Sequence, residues 1–167
     1  MNSIDHIPKA EIHIHLEATI TPDLCRKFAS RNNINLPDDI FGNKYAYEWT
    51  DFYDFIKKYD LVTSVISTPE DYHELTYAYL KECSSNNVLY VEAMISSTHA
   101  KLKGMTYNSF LEGIYSASKQ AEKDFGIVSR FIMNGIRHLG PESVQNTANE
   151  VLKNPHPYLV GFGLAGD

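Results

Sequence analysis

Four short apolar segments, kept apart by amphipathic helical stretches, set the tightest limit on what this chain can fold into. "EIHIHLE" (11–17), "VLYVEAMI" (88–95), "IVSRFIMNGI" (127–136) and "YLVGFGLAG" (158–166) have the length and residue types of strands. The intervals carry helix signals. Thr21 reads as an N-cap with Pro22 at the first helical position, and Leu24 and Phe28 follow at helical spacing. Thr68 and Pro69 repeat that start, Asp71 completes a capping-box variant, and Leu75, Tyr79 and Leu80 form an apolar stripe. Thr106 begins a long helix that Gly126 stops, and Pro141 lies in the first turn of another. Strands alternating with helices imply parallel strands joined by right-handed crossovers, the α/β class.

Two architectures share this alternation, an open doubly wound sheet and a (β/α)8 barrel of TIM type. The open sheet usually announces itself by a glycine-rich turn after its first strand, and "LEATITPDL" has no glycine. The barrel is therefore favoured. A complete barrel takes about 250 residues, whereas this sequence has 167 and holds four strand signals. The expectation is a parallel barrel represented by about its first four βα units, a half barrel. Residues 1–167 read as one domain with an aromatic-rich insertion around 37–66, loop at first and helical from about Asp51.

Composition narrows the function classes. A hydrophobic content of 43% suffices for a sizeable core. Net charge is −6, and the 15 Lys and Arg residues form no basic stripe, which argues against nucleic-acid binding. No apolar run of about 18 residues occurs, and the N-terminal "MNSIDHIPKAEIHIH" carries charges throughout, so neither a membrane span nor a signal peptide is expected. Cys25 and Cys83 stand far apart without a CxxC pair, consistent with reduced thiols and a cytoplasmic location.

The chemistry concentrates in the first strand. Regular alternation would send His13, His15 and Glu17 to one face and Ile12, Ile14 and Leu16 to the other. Two imidazoles so placed can share a zinc ion at about 2.0 Å each; the alternative is an edge strand whose polar face meets water. A catalytic zinc needs three protein ligands and an open position. His6, His73, His99, His138 and His156 have no partner at ligand spacing and read as surface or locally hydrogen-bonded residues.

"PKAEIHIHLEATITPDL" resembles the opening of the adenosine deaminase family, whose first barrel strand carries Lys-x-Glu-Leu-His-x-His-Leu and then an acidic residue. "STPEDYHELTYAYLKECSSNNVLYVEAMIS" resembles the family's second helix and strand, and "LVGFGLAGD" its Gly-x-Asp-Leu-Ala-Gly-Asp-Glu segment at strand 4. The resemblance implies zinc-dependent hydrolytic deamination of adenosine to inosine, with His13 and His15 as two zinc ligands. It places Glu17 at a contact to the sugar hydroxyl, and Gly166 where a backbone N–H approaches the purine, with Asp167 continuing the motif. Outside the family, Gly166 and Asp167 would read as an ordinary tight turn. Phe52 and Phe55, with Trp49, fall where the family covers its substrate; aromatic residues at helical spacing can equally be core.

Ala18 stands where glycine is common, Gly163 replaces an aspartate, and Met94 replaces an arginine. The family's third histidine ligand, its catalytic glutamate, the histidine beside the attacking water and the aspartate ligand come from strands 5 to 8, so no catalytic residue is expected in this chain. Alone, it should bind zinc weakly and be inactive. A small-molecule purine nucleoside is the implied partner, and exposed half-barrel edges suggest a homodimer. Two alternatives remain: adenine as substrate, or a non-catalytic assembly module.

Overall fold

The computed structural model describes residues 6–166. Its elements run β1 (Lys9–His15), α1 (Pro22–Arg31), β2 (Phe41–Asn43), β3 (Ala46–Tyr47), α2 (Phe52–Thr63), α3 (Pro69–Ser85), β4 (Val88–Ile95), α4 (Ser97–Leu102), α5 (Tyr107–Phe125), β5 (Val128–Ile136), α6 (Gly140–Lys153) and β6 (Leu159–Ala165). β1, β4, β5 and β6 form one sheet in that order, with parallel pairing throughout. This is the expected α/β arrangement of successive parallel strands. Pairing of sequence-adjacent strands in a single direction leaves two free edges, β1 and β6.

The two faces of the sheet differ. Val91, Ala93 and Ile95 of β4 and Phe131 and Met133 of β5 join a core with Tyr72, Leu75 and Leu80 of α3 and Phe110 and Ile114 of α5. On the opposite face, register pairs Glu92 with Arg130 and Met94 with Ile132, and all four are only half-buried. That face is the inside of the barrel curve, and nothing among the described residues lies across it as a further strand.

Local signals set the helix ends. Thr21 Oγ1 accepts from the Leu24 N–H, Thr106 Oγ1 from that of Ser109, and α5 stops at Gly126 in the left-handed region at φ +72°. At α3 the capping box is complete. Asp71 goes further than a cap: its Oδ2 also accepts from the Ser67 N–H (3.0 Å) and from Asn32 Nδ2 (2.8 Å), and its Oδ1 lies 3.1 Å from Arg31. One buried carboxylate thus ties α1 to α3.

Two elements depart from the sequence expectation. The stretch expected as loop holds a small antiparallel hairpin, β2–β3. Arg26 of α1 lies over the Phe41 ring (3.9 Å) and donates to the Lys44 carbonyl (2.9 Å), while Tyr47 Oη donates to the Ile20 carbonyl (2.9 Å). Its support is tertiary, so no local pattern signals it. The short α4 follows β4 directly.

α3 and α5 meet at Gly113, where an added Cβ would lie 2.3 Å from the Pro69 carbonyl oxygen. Only a glycine permits that approach of helix to backbone. Gly113→Ala is therefore expected to lower stability by about 1–3 kcal/mol, read as a fall in the thermal unfolding midpoint.

Candidate functional site at the C-terminal ends of the strands

β1 does not run in regular alternation. Ile12 pairs with Glu92 and Ile14 with Ala93, so the partner strand advances one residue while β1 advances two. The extra residue is His13, at φ +65°. This is a β-bulge, and it re-aims the side chains beyond it. Ile12, 65% exposed, now lies on the interior face with Glu92, and Ile14 packs against the core on the helix side with Ala93. The expected division, with Ile12 and Ile14 together, is thereby corrected. His15 pairs with Met94 on the interior face. Its ring is held below the usual imidazole pKa by burial and, second, by the nearby charge of His13. The two imidazoles are neighbours at the end of β1, His13 exposed and His15 half-buried.

The strand stops at His15, and Glu17 stands in a 3-10 turn, Leu16–Thr19, rather than on an extended strand. Only 2% of it is exposed, and its Oε1 accepts the Ser96 N–H at 3.1 Å. Burial pushes this carboxyl up to about 7, while hydrogen bonds from its own backbone N–H and that of Ser96 pull the other way. Tyr59 and Tyr72 are close enough that the Glu17 charge contributes to raising their hydroxyl pKa values, burial being the larger cause in both.

At the far edge of the sheet, Gly166 follows β6 with φ +87°, and an added Cβ would stand 2.6 Å from His138 Nδ1. Arg137 Nε donates to the Gly166 carbonyl at 3.1 Å. Asp167 lies outside the described residues. His138 stands in the 3-10 turn (Arg137–Leu139) that follows β5, and His99 sits in α4 just beyond β4 with its Nδ1 buried and without a hydrogen-bond partner among the described residues. Burial lowers the His99 pKa, with Asp60 opposing and His138 adding to the shift. Spacing gave neither histidine a role, yet both stand on the strand-end rim. Their position after the C-terminal ends of β4 and β5 is the signal that could have found them. His73 (2.9 Å to Ser116 Oγ) and His156 (3.7 Å stacking on Tyr115) are locally engaged, away from the rim.

Phe41 and Tyr47 of the insertion pack against the core, whereas the aromatic residues around the start of α2 do not. Phe52 is 68% exposed, and Trp49, Phe55 and Tyr59 continue a ladder with centroids 5.3 Å (Trp49–Phe55), 6.3 Å (Phe52–Phe55) and 6.2 Å (Phe55–Tyr59) apart. Its inner end, Tyr59, approaches Glu17. The site therefore brings His13, His15, Glu17 and the Phe55–Tyr59 end of the ladder to one side of the mouth, and Gly166 with His138 to the other. Among the described residues, no three His, Cys, Asp or Glu side chains converge in a way that could hold a metal ion. No described helix is long and apolar enough to cross a membrane.

Parallel strands in sequence order, with imidazoles at the end of the first, define the class as α/β proteins built on part of a (β/α) barrel. The profile of the family described as "Adenosine deaminase" matches residues 8–167, and the chain belongs to that family. It is 37% identical over 162 residues to an adenine deaminase of Rhizobium leguminosarum bv. trifolii, covering 97% of this chain and 50% of that protein. With an adenine deaminase of Sinorhizobium medicae the identity is 38%, over 97% of this chain and 49% of that one. Among solved structures, the adenine deaminase from Arthrobacter aurescens superposes with a TM-score of 0.83 at 27% identity, covering 96% of this chain and 49% of that one. An amidohydrolase from Burkhoderia ambifaria, solved with bound Zn, shares the fold at TM-score 0.81 and 20% identity, over 97% and 45% of the two chains. The chain thus spans about half the length of the relatives it matches.

Because Glu17 holds its proton more tightly folded than unfolded, its ionisation opposes folding. Stability should fall as pH rises from about 4.5 to about 7, by an amount on the order of 3 kcal/mol. Denaturant titrations of the chelator-treated protein across that range are expected to show this fall, and Glu17→Gln to lack it.

Proposed function

We propose that this chain supplies the first four strands of a zinc-dependent hydrolase that removes the C6 amine of a purine, with adenine as the substrate. The observation that carries this reading is the presence of His13 and His15 at the C-terminal end of β1, close enough for His13 to lower the His15 pKa, in a half barrel of the adenosine deaminase family. Such strand ends are where barrel enzymes assemble their sites. The donor chemistry suits zinc: neutral imidazoles are its usual nitrogen ligands, and burial favours the neutral ring at His15. The chemistry zinc supplies in such a site is activation of water at neutral pH.

The chain's own residues would divide the remaining tasks. Phe52 and Phe55 offer apolar cover above the mouth, and the backbone of Gly166 offers a flat approach to a purine ring from the opposite side. Adenine is favoured over the adenosine expected from the sequence. The relatives that are 37–38% identical bear the name adenine deaminase, and the Glu17 carboxyl is almost wholly buried beside the Ser96 N–H, presenting little surface to a sugar hydroxyl.

A second reading, a non-catalytic assembly module, draws on two facts. The described residues provide no third metal-binding group, and both sheet edges are unpaired, with Ile12, Val160 and Leu164 exposed on or beside them. Unpaired apolar edges favour association with a second copy.

The 167-residue chain on its own is expected to bind zinc only weakly by equilibrium dialysis, more weakly still in His15→Ala, and to leave the ultraviolet spectra of adenine and adenosine unchanged. Sedimentation velocity should give a dimer or larger species at micromolar concentration. Rapid loss of the adenosine absorbance by the isolated chain would overturn this account of its incomplete ligand set.

A further inference from the structure

Four residues lie side by side at the ends of the strands. Asn134 pairs with Gly163, the pairing of Ile95 with Met133 sets Ser96 at the level of Asn134, and Glu17, in the turn after β1, joins them by accepting the Ser96 N–H. The row lies one interior-facing step closer to the mouth than the one containing His15, Met94, Ile132 and Gly161. Gly135 faces Val144 of α6, so Asn134, its neighbour along β5, faces the interior.

Asn134 is 1% exposed, and neither its Oδ1 nor its Nδ2 has a hydrogen-bond partner among the described residues. Ser96 Oγ, next in the row, is also buried and unpartnered. Leaving both ends of a buried carboxamide without partners is costly, and such a group calls for a partner. Space for the carboxamide exists because β6 has no side chain here: an added Cβ at Gly163 would stand 2.6 Å from Asn134 Oδ1. The aspartate that the family motif carries at this position is thus absent, and a neutral amide from the adjacent strand leans over the vacated place.

Taking the purine reading above as its basis, we infer that the Asn134 carboxamide is a specificity-determining group that recognises the N3/N9–H edge of a free purine base. An amide presents a donor and an acceptor side by side. Free adenine presents their complement: N3 accepts from Nδ2–H, and N9–H donates to Oδ1. In a nucleoside N9 carries the sugar, so one of these bonds is lost and the sugar meets the amide. The placement agrees with the chemistry. The N3/N9 edge lies across the ring from C6, and Asn134 lies two strand spacings, about 10 Å, across the sheet from the strand that carries His13 and His15. Access runs over the interior face, where Met94 and Ile132 are only half-buried.

The test uses the whole 167-residue chain, labelled with nitrogen-15, with the Asn134 side-chain NH2 pair assigned by its loss in Asn134→Leu. Adenine is expected to shift that pair saturably, and adenosine to bind roughly tenfold more weakly, the loss of about one neutral hydrogen bond. Gly163→Ala should displace the flexible carboxamide and weaken adenine binding by a similar factor while the thermal midpoint stays close to that of the parent. If adenine shifts the Gly166 amide but leaves the Asn134 pair unmoved, Asn134 bonds only to water or protein and the inference is overturned, with the purine reading intact. If neither signal moves, both are overturned.

Discussion

Where each group stands at the mouth is decided by how β1 lies against β4. Parallel pairing from Lys9 to His15 fixes the level of every later residue, and the slip at His13 turns the strand so that its last part faces the cavity in a different phase from its first. A non-glycine residue in the left-handed region costs roughly 1–2 kcal/mol. That cost persists because pairing on both sides of His13 holds the backbone in place. Strain of this kind at a would-be metal ligand, together with the exposure of Ile12 beside it, marks a strand shaped for what it presents rather than for its own stability.

Two buried carboxyls show how one fold treats the same group in opposite ways. Asp71 is surrounded: backbone N–H groups of Ser67 and Thr68, the Asn32 amide and the Arg31 guanidinium converge on it, so its burial is compensated and it fastens α1 to α3. Glu17 has one long-range donor, Ser96, and a group without enough partners keeps its proton to nearly neutral pH. The first carboxyl belongs to the scaffold, in the first turn of α3. The second lies just beyond the end of β1, within reach of Tyr59 and Tyr72.

Much of this was legible in the residues because the signals are local. Thr21, Thr68 with Asp71, Thr106 and Gly126 mark helix ends through contacts spanning three or four residues. The four strands announce themselves by composition, and their order follows from the right-handed crossover. The bulge was hidden, since "HIH" satisfies strand alternation whether or not a residue is skipped on the neighbour. The β2–β3 hairpin was hidden for another reason: Arg26 and Ile20, outside it, hold it in place. His99 and His138 lie 39 positions apart in the numbering and become neighbours only through the pairing of β4 with β5. Burial of Glu17 likewise depends on Ser96, which no pattern around residue 17 contains.

The aromatic ladder also has an optical consequence. The sequence contains a single tryptophan, and Trp49 is its outer rung, 51% exposed and edge-on to Phe55. Indole emission from this chain therefore reports on one spot, the segment just before α2 at the outer end of the ladder, with no background from the core. Whatever settles over that spot and strips water from the ring would announce itself as a blue shift, giving the molecule a built-in fluorophore for following occupancy without any label.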